Sequence, residues 1–115
     1  MALTNHAYTA LRKALRDKIK SFAILNESGM ELFRINADDP RVTLISDEQS
    51  NPLEYHILIT GTDNEVTSNI TVKGIKIYDD KVSGNELFNN LYSQGYIIQD
   101  GTETSIKLIQ KINVN

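Results

Sequence analysis

The chain has 115 residues, 40% of them apolar and 23% charged, with a net charge of −3. That balance is ordinary for one globular domain (residues 1–115) and unlike that of a disordered segment. Cysteine is absent, which excludes disulfides, thiolate metal centres and a cysteine nucleophile. A pI near 5.3 argues against nucleic acid as a partner, because phosphate binding calls for concentrated positive charge.

The N-terminal segment, residues 1–22, reads as an amphipathic helix, with residues 23–115 forming a β-rich body. Thr4 or Asn5 can cap it by accepting from a free amide of the first turn. Tyr8, Leu11, Leu15, Ile19 and Phe22 recur at three- or four-residue spacing and make one apolar stripe. Arg12, Lys13, Arg16, Lys18 and Lys20 are expected on the solvated face, where the basic residues also suit the negative end of the helix dipole. The stripe fits two uses equally: covering the domain's own sheet, or docking on a neighbouring subunit through Tyr8, Leu11 and Leu15.

Beyond the helix, short apolar runs alternate with turn residues. Phe22 to Leu25 and Glu31 to Ile35 flank Asn26-Glu27-Ser28-Gly29 and predict a hairpin with Gly29 at positive φ. Asp38-Asp39-Pro40 is a turn, Val42 to Ile45 a short strand, and Asp47 to Pro52 a polar loop. Tyr55 to Thr60 alternates as a strand, with Gly61 to Glu65 as the turn that follows it. From Asn69 to Tyr78 the apolar phase slips by one residue near Gly74, which predicts one long strand with a bulge. Glu86 to Tyr92 fits either a short helix ended by Gly95 or an extended run. Tyr96 to Ile98, the Asp100-Gly101 turn and Ser105 to Val114 read as a closing hairpin. The sum is an α+β, mostly β chain: one helix, then about seven strands in an antiparallel sandwich or open barrel.

No arrangement of residues calls for catalysis, a cofactor or a metal. His6 and His56 stand apart in sequence and lack a second ligand at metal spacing. The carboxylate pairs Asp38-Asp39, Asp47-Glu48 and Asp79-Asp80 fall where turn formation alone explains aspartate. Asp63, Asn64 and Glu65 come nearest to a calcium loop but lack its alternation and central glycine. No serine lies in G-x-S-x-G, and no lysine follows a phosphate-binding glycine loop. Asn26-Glu27-Ser28 and Asn69-Ile70-Thr71 match the glycosylation acceptor pattern by chance if no secretory route exists. Five tyrosines (Tyr8, Tyr55, Tyr78, Tyr92 and Tyr96) serve a core first and an interface second. Residues Met1 to Ala10 hold no basic patch followed by an apolar run, so no signal peptide is expected. No apolar stretch approaches about 20 residues, so no membrane partner is expected.

Two stretches carry a resemblance. Residues 1–12, Met-Ala-Leu-Thr-Asn-His-Ala-Tyr-Thr-Ala-Leu-Arg, look like the start of small proteins from phage and prophage structural modules. Residues 70–101, with Ile75 to Tyr78, the Asp turn, Ser83-Gly84-Asn85, Leu87-Phe88 and Ile97-Ile98 before Asp100-Gly101, are similar in texture to small phage tail proteins. The resemblance implies a non-enzymatic structural component of a virion, made in the host cytoplasm and carried into the particle. Its partners would be other phage structural proteins or further copies of itself, closed symmetry being common among homo-oligomers. The competing expectation is a small phage-encoded inhibitor or adaptor that binds a host protein.

Overall fold

The computed structural model describes residues 2–114. In chain order it contains α1 (Asn5–Lys18), β1 (Ser21–Leu25), β2 (Glu31–Asn36), β3 (Val42–Ser46), β4 (Leu53–Thr60), β5 (Ile70–Tyr78), β6 (Glu86–Ile98) and β7 (Ser105–Ile112). Thr4 is the N-cap of α1: its backbone is extended, and its hydroxyl accepts from the Ala7 amide at 3.1 Å. That satisfies one of the donors a helix start leaves unpaired.

The helix is shorter than its apolar spacing implies. Ile19 is already extended, at φ −74° and ψ 116°. The next residue explains why: Lys20 donates to Tyr78 O and accepts from the Ala37 amide, both at 2.9 Å. Those two bonds commit the chain to the sheet. Phe22, three residues past Ile19, therefore faces inward from a strand instead of extending the helical stripe.

The strands form two antiparallel sheets, ordered β2-β1-β5-β6 and β3-β4-β7. They stack as a sandwich and do not close into a barrel. From the first sheet Phe22, Ile24, Ile35, Ile75 and Ile77 enter the core. Leu53, Tyr55, Ile57, Ile59 and Leu108 meet them from the second. The Phe22 and Tyr55 rings join the layers with centroids 5.2 Å apart, within the range of favourable aromatic pairs. The molecule is elongated, 51 × 26 × 24 Å.

All of β1 is buried, on both faces. Outward-facing Ser21 donates to Asp80 O at 2.6 Å, and Ala23 lies between its cross-strand neighbours Arg34 and Lys76. The Arg34 guanidinium stacks on the Tyr78 ring, 4.0 Å from its centroid. Loop and long side chains thus cover a face that short residues could not cover themselves.

The phase slip in β5 is present: Val72, Ile75 and Ile77 are all buried. Its cause sits on the partner strand. Val72 pairs with Tyr96 and Gly74 with Leu91, so one residue, Lys73, opposes the four from Tyr92 to Gly95. A Cβ on Gly74 would lie 2.8 Å from both Asn90 O and the Leu91 side chain, which leaves room for glycine alone.

At the C-terminal end one open choice is resolved and one expectation needs correction. Residues 86–92 are strand, not helix, because the free edge of β5 offers a full pairing partner from Ile70 to Tyr78. The closing hairpin does not form either. Ile98 ends paired with Ile70, whereas Ser105 begins paired with Thr60, so the chain crosses from one sheet to the other through residues 99–104. Gly61 receives this crossing, donating to Thr104 O at 2.9 Å and accepting from the Gly101 amide at 2.8 Å. The Asn26–Met30 hairpin is as expected, with Gly29 at φ +78°.

Candidate functional site

The helix residues expected at an interface part company in the structure. Leu15 packs against the domain's own core, Tyr8 is half-buried, and Leu11 is 47% exposed. The side chain that turns most fully inward is Arg12, at 6% exposure. Its Nε donates to Glu48 O at 2.9 Å, Nη1 to Val114 O at 3.3 Å and Nη2 to Thr9 Oγ1 at 3.3 Å. Arg16, also half-buried, donates to the Glu48 carboxylate at 2.6 Å. Placing these two arginines on the solvated face is therefore wrong. On a helical wheel Arg12 sits between Tyr8 and Leu15 as closely as Leu11 does, and the carbonyls of the Glu48 loop and Val114 select it over leucine. Lys13 stays exposed and pairs with Asp17 at 3.0 Å.

The acidic doublets split as turn residues do. Asp38 goes to Lys81 and Asp39 to Arg41. Asp47 accepts from the Gln49 amide while Glu48 takes Arg16. Asp79 accepts from the Asn85 amide at 2.7 Å and Asp80 from the Lys81 amide at 2.6 Å. Asp63 and Glu65 do converge, together with Asp39, but on a guanidinium: Arg41 reaches them at 3.3, 2.7 and 2.9 Å. Arg41 holds the carboxyls of Asp39 and Glu65 below the usual carboxylate range, through its hydrogen bonds first, and is itself raised by them. The cluster ties the β2–β3 turn to the loop after β4. Among the described residues no group of three or more His, Asp or Glu side chains is placed to hold a metal ion. No helix among them is long and apolar enough to cross a membrane.

His6 is exposed near the start of α1. His56 lies on the outer face of β4, its Nε2 2.6 Å from Glu54 Oε2. Asn26 and Asn69 spend their side-chain oxygens on turns, accepting from the Ser28, Met30 and Asp100 amides.

Two surfaces remain that local structure does not explain. The first is the outer face of the three-stranded sheet. Thr43, His56 and Ile109 stand in one cross-strand row, with Leu58 and Lys107 in the next. Ile45, Leu58 and Ile109 are 51%, 43% and 50% exposed, and a shallow depression of about 230 Å³ lies among Pro40, Thr43, Ile45, His56 and Leu58. Strand alternation turns these side chains away from the core that their neighbours Leu44, Ile57 and Leu108 enter.

The second is a groove of about 520 Å³ between β6 and β7, bounded by Asn90, Tyr92 and Tyr96 on one side and residues 106–109 on the other. At one end Asn90 Nδ2 donates to Gln110 Oε1 across the two sheets at 3.1 Å. The Tyr92 hydroxyl is buried without a hydrogen-bond partner, and burial pushes its pKa up to about 12, with Tyr96 adding to the effect. The two rings meet edge to face at 6.0 Å. Gln110 carries a sequence signal by which it could have been found, since it falls on the apolar phase of Ile106, Leu108 and Ile112. The groove was not, because it depends on which strands end up at sheet edges. No family model, no curated protein and no solved structure matches this chain.

Proposed function

We propose that this chain is a non-enzymatic assembly component that works through protein–protein contacts, in the setting its sequence texture resembles, the tail of a bacteriophage particle. The observation that supports the reading is the outer face of the β3-β4-β7 sheet. Ile45, Leu58 and Ile109 leave apolar area there on a hydrogen-bonded sheet, and exposed apolar area on such a face supports a contact surface. The strongest charge cluster, around Arg41, is internally paired and fastens loops together. The partners are further copies of the chain or other structural proteins of the particle.

The test is the solution mass of the purified chain by light scattering across a concentration series, alone and mixed with the other proteins of its particle. The expected result is a discrete assembly that Leu58→Lys or Ile109→Lys weakens while the unfolding midpoint stays put. A chain that remains monomeric at every concentration and joins no mixture sinks the proposal.

A further inference from the structure

We propose that the seam between β6 and β7 takes an extended, acidic segment of a partner protein as an added strand on β7. This goes beyond the contact face above: it uses the main-chain edge of β7, which borders that face at Lys107 and Ile109.

Four consecutive residues of β7, 106–109, bound the groove. Successive side chains of a strand point to opposite faces, so a groove touching all four runs along the edge of the strand, where the main chain is presented. β7 is hydrogen-bonded to β4 alone and ends its sheet. Its second row of amides and carbonyls therefore faces the groove, and an unpaired row of this kind is a template for another strand. At about 3.3 Å per residue, residues 106–109 present roughly 13 Å of edge, enough for a segment of about four or five residues.

The opposite wall says what one face of that segment meets. Tyr92 and Tyr96 project from the two ends of the irregular stretch of β6, and together with Ile106 and Leu108 they supply an apolar floor. The Tyr92 hydroxyl itself is closed off from the groove, so this wall offers the segment its apolar area and no donor.

Charge decides between occupants. The edge strand carries Lys107 and Lys111, both on the outward phase with Ile109. Neither has an ion-pair partner among the described residues; Glu54, opposite Lys111, is taken by His56. A second copy of β7 laid antiparallel here would set two more lysines on the same face, the arrangement by which natural edge strands resist self-pairing. An incoming strand with acidic residues at alternate positions places them beside these lysines, and its apolar residues, on the other phase, reach Tyr92, Tyr96 and Leu108.

The probe is a fluorescein-labelled peptide alternating Glu or Asp with Val, read by anisotropy and by hydrogen exchange, against the same peptide with Lys at every acidic position. The acidic peptide should bind and slow exchange at residues 106–109, and the basic one should not. Lys107→Glu should reverse this preference. Equal binding of both peptides, protection confined to other strands, or no binding of the acidic peptide overturns the proposal. So does a peptide-free dimer protected at residues 106–109, which would assign the edge to self-pairing. Because Ile45 of the contact face lies on β3, at the opposite edge of the sheet from β7, peptide binding that survives Ile45→Lys separates this inference from the assembly proposal: either can fail while the other stands.

Discussion

Replacing Arg12 by methionine keeps the length and apolar stem of the side chain and removes its donors, so it isolates what the guanidinium contributes to holding α1 on the body. One bond, Nε to Glu48 O, is short at 2.9 Å, and two more reach Val114 O and Thr9 Oγ1 at 3.3 Å. A hydrogen bond to a charged group contributes about 1.5–3 kcal/mol, and the two long ones less. The Val114 amide keeps its own bond to Asn51 Oδ1 at 2.8 Å, so the C-terminal strand end is not freed entirely. The expected loss is about 2–4 kcal/mol by that bookkeeping, or roughly 8–16 °C in Tm for a chain of this size. Urea unfolding at pH 7 measures it. Hydrogen exchange locates it, with the amides of α1 expected to speed up more than those of β1, β4 or β5. Arg12→Lys should recover less than half of the loss, since one ammonium cannot reach three acceptors from one position. A change under about 0.5 kcal/mol, the size of an ordinary surface substitution, would refute the idea that polar contacts at Glu48 and Val114 dock the helix.

The Arg41 cluster sets a pH dependence. Asp39 and Glu65 have folded pKa values below their unfolded ones, so the stability they contribute is complete above the unfolded carboxylate range and is lost as pH falls through it toward the folded values. Arg41→Met should therefore flatten the fall in unfolding free energy between about pH 5 and pH 2; an acid limb as steep as that of the parent chain would show that other carboxylates carry it. Leu15→Asp should destabilise by about 2–3 kcal/mol as a core-packed position, whereas Leu11→Asp should stay within about 0.5 kcal/mol; equal losses by denaturant titration would place the helix differently on the body. Gly61→Ala should cost more than Gly74→Ala. The added methyl would run into two backbone carbonyls at the first site, Gln99 O and Thr102 O, but into one at the second, Asn90 O at 2.8 Å, beside a Leu91 side chain that can move. Both should lose at least about 1–3 kcal/mol, and a neutral Gly61→Ala would mean that the sheet crossing yields easily.

How much could be read before the fold was known follows from the range of each interaction. A cap at Thr4 or Asn5, the Gly29 turn, the alternation of Tyr55 to Thr60 and the phase slip at Gly74 are all written in neighbouring residues, so local pattern sufficed. Residues 86–92 were ambiguous because Leu87, Phe88 and Leu91 satisfy either period, and only the open edge of β5 breaks the tie. For the candidate surfaces, the sequence pointed to Tyr8, Leu11 and Leu15, and the structure leaves only Leu11 among them well exposed. Ile45, Leu58 and Ile109 lie in three strands brought side by side by register, which no local spacing encodes.

The sequence by itself determined the class of this protein: one capped helix followed by short strands of alternating polarity, with turns wherever glycine, aspartate and asparagine cluster. These are consequences of side-chain periodicity and backbone preference, forces that act within a few residues. Only the tertiary structure decided that Arg12 turns inward, that Arg41 gathers Asp39, Asp63 and Glu65, and that the chain crosses between sheets after Ile98. It also left β6 and β7 facing each other unpaired. Each of those outcomes needs at least one partner far along the chain, 24 residues away from Arg41 to Glu65 and 102 from Arg12 to Val114. Burial and hydrogen-bond satisfaction across such distances are properties of the assembled layers, and the local pattern of any one segment does not contain them.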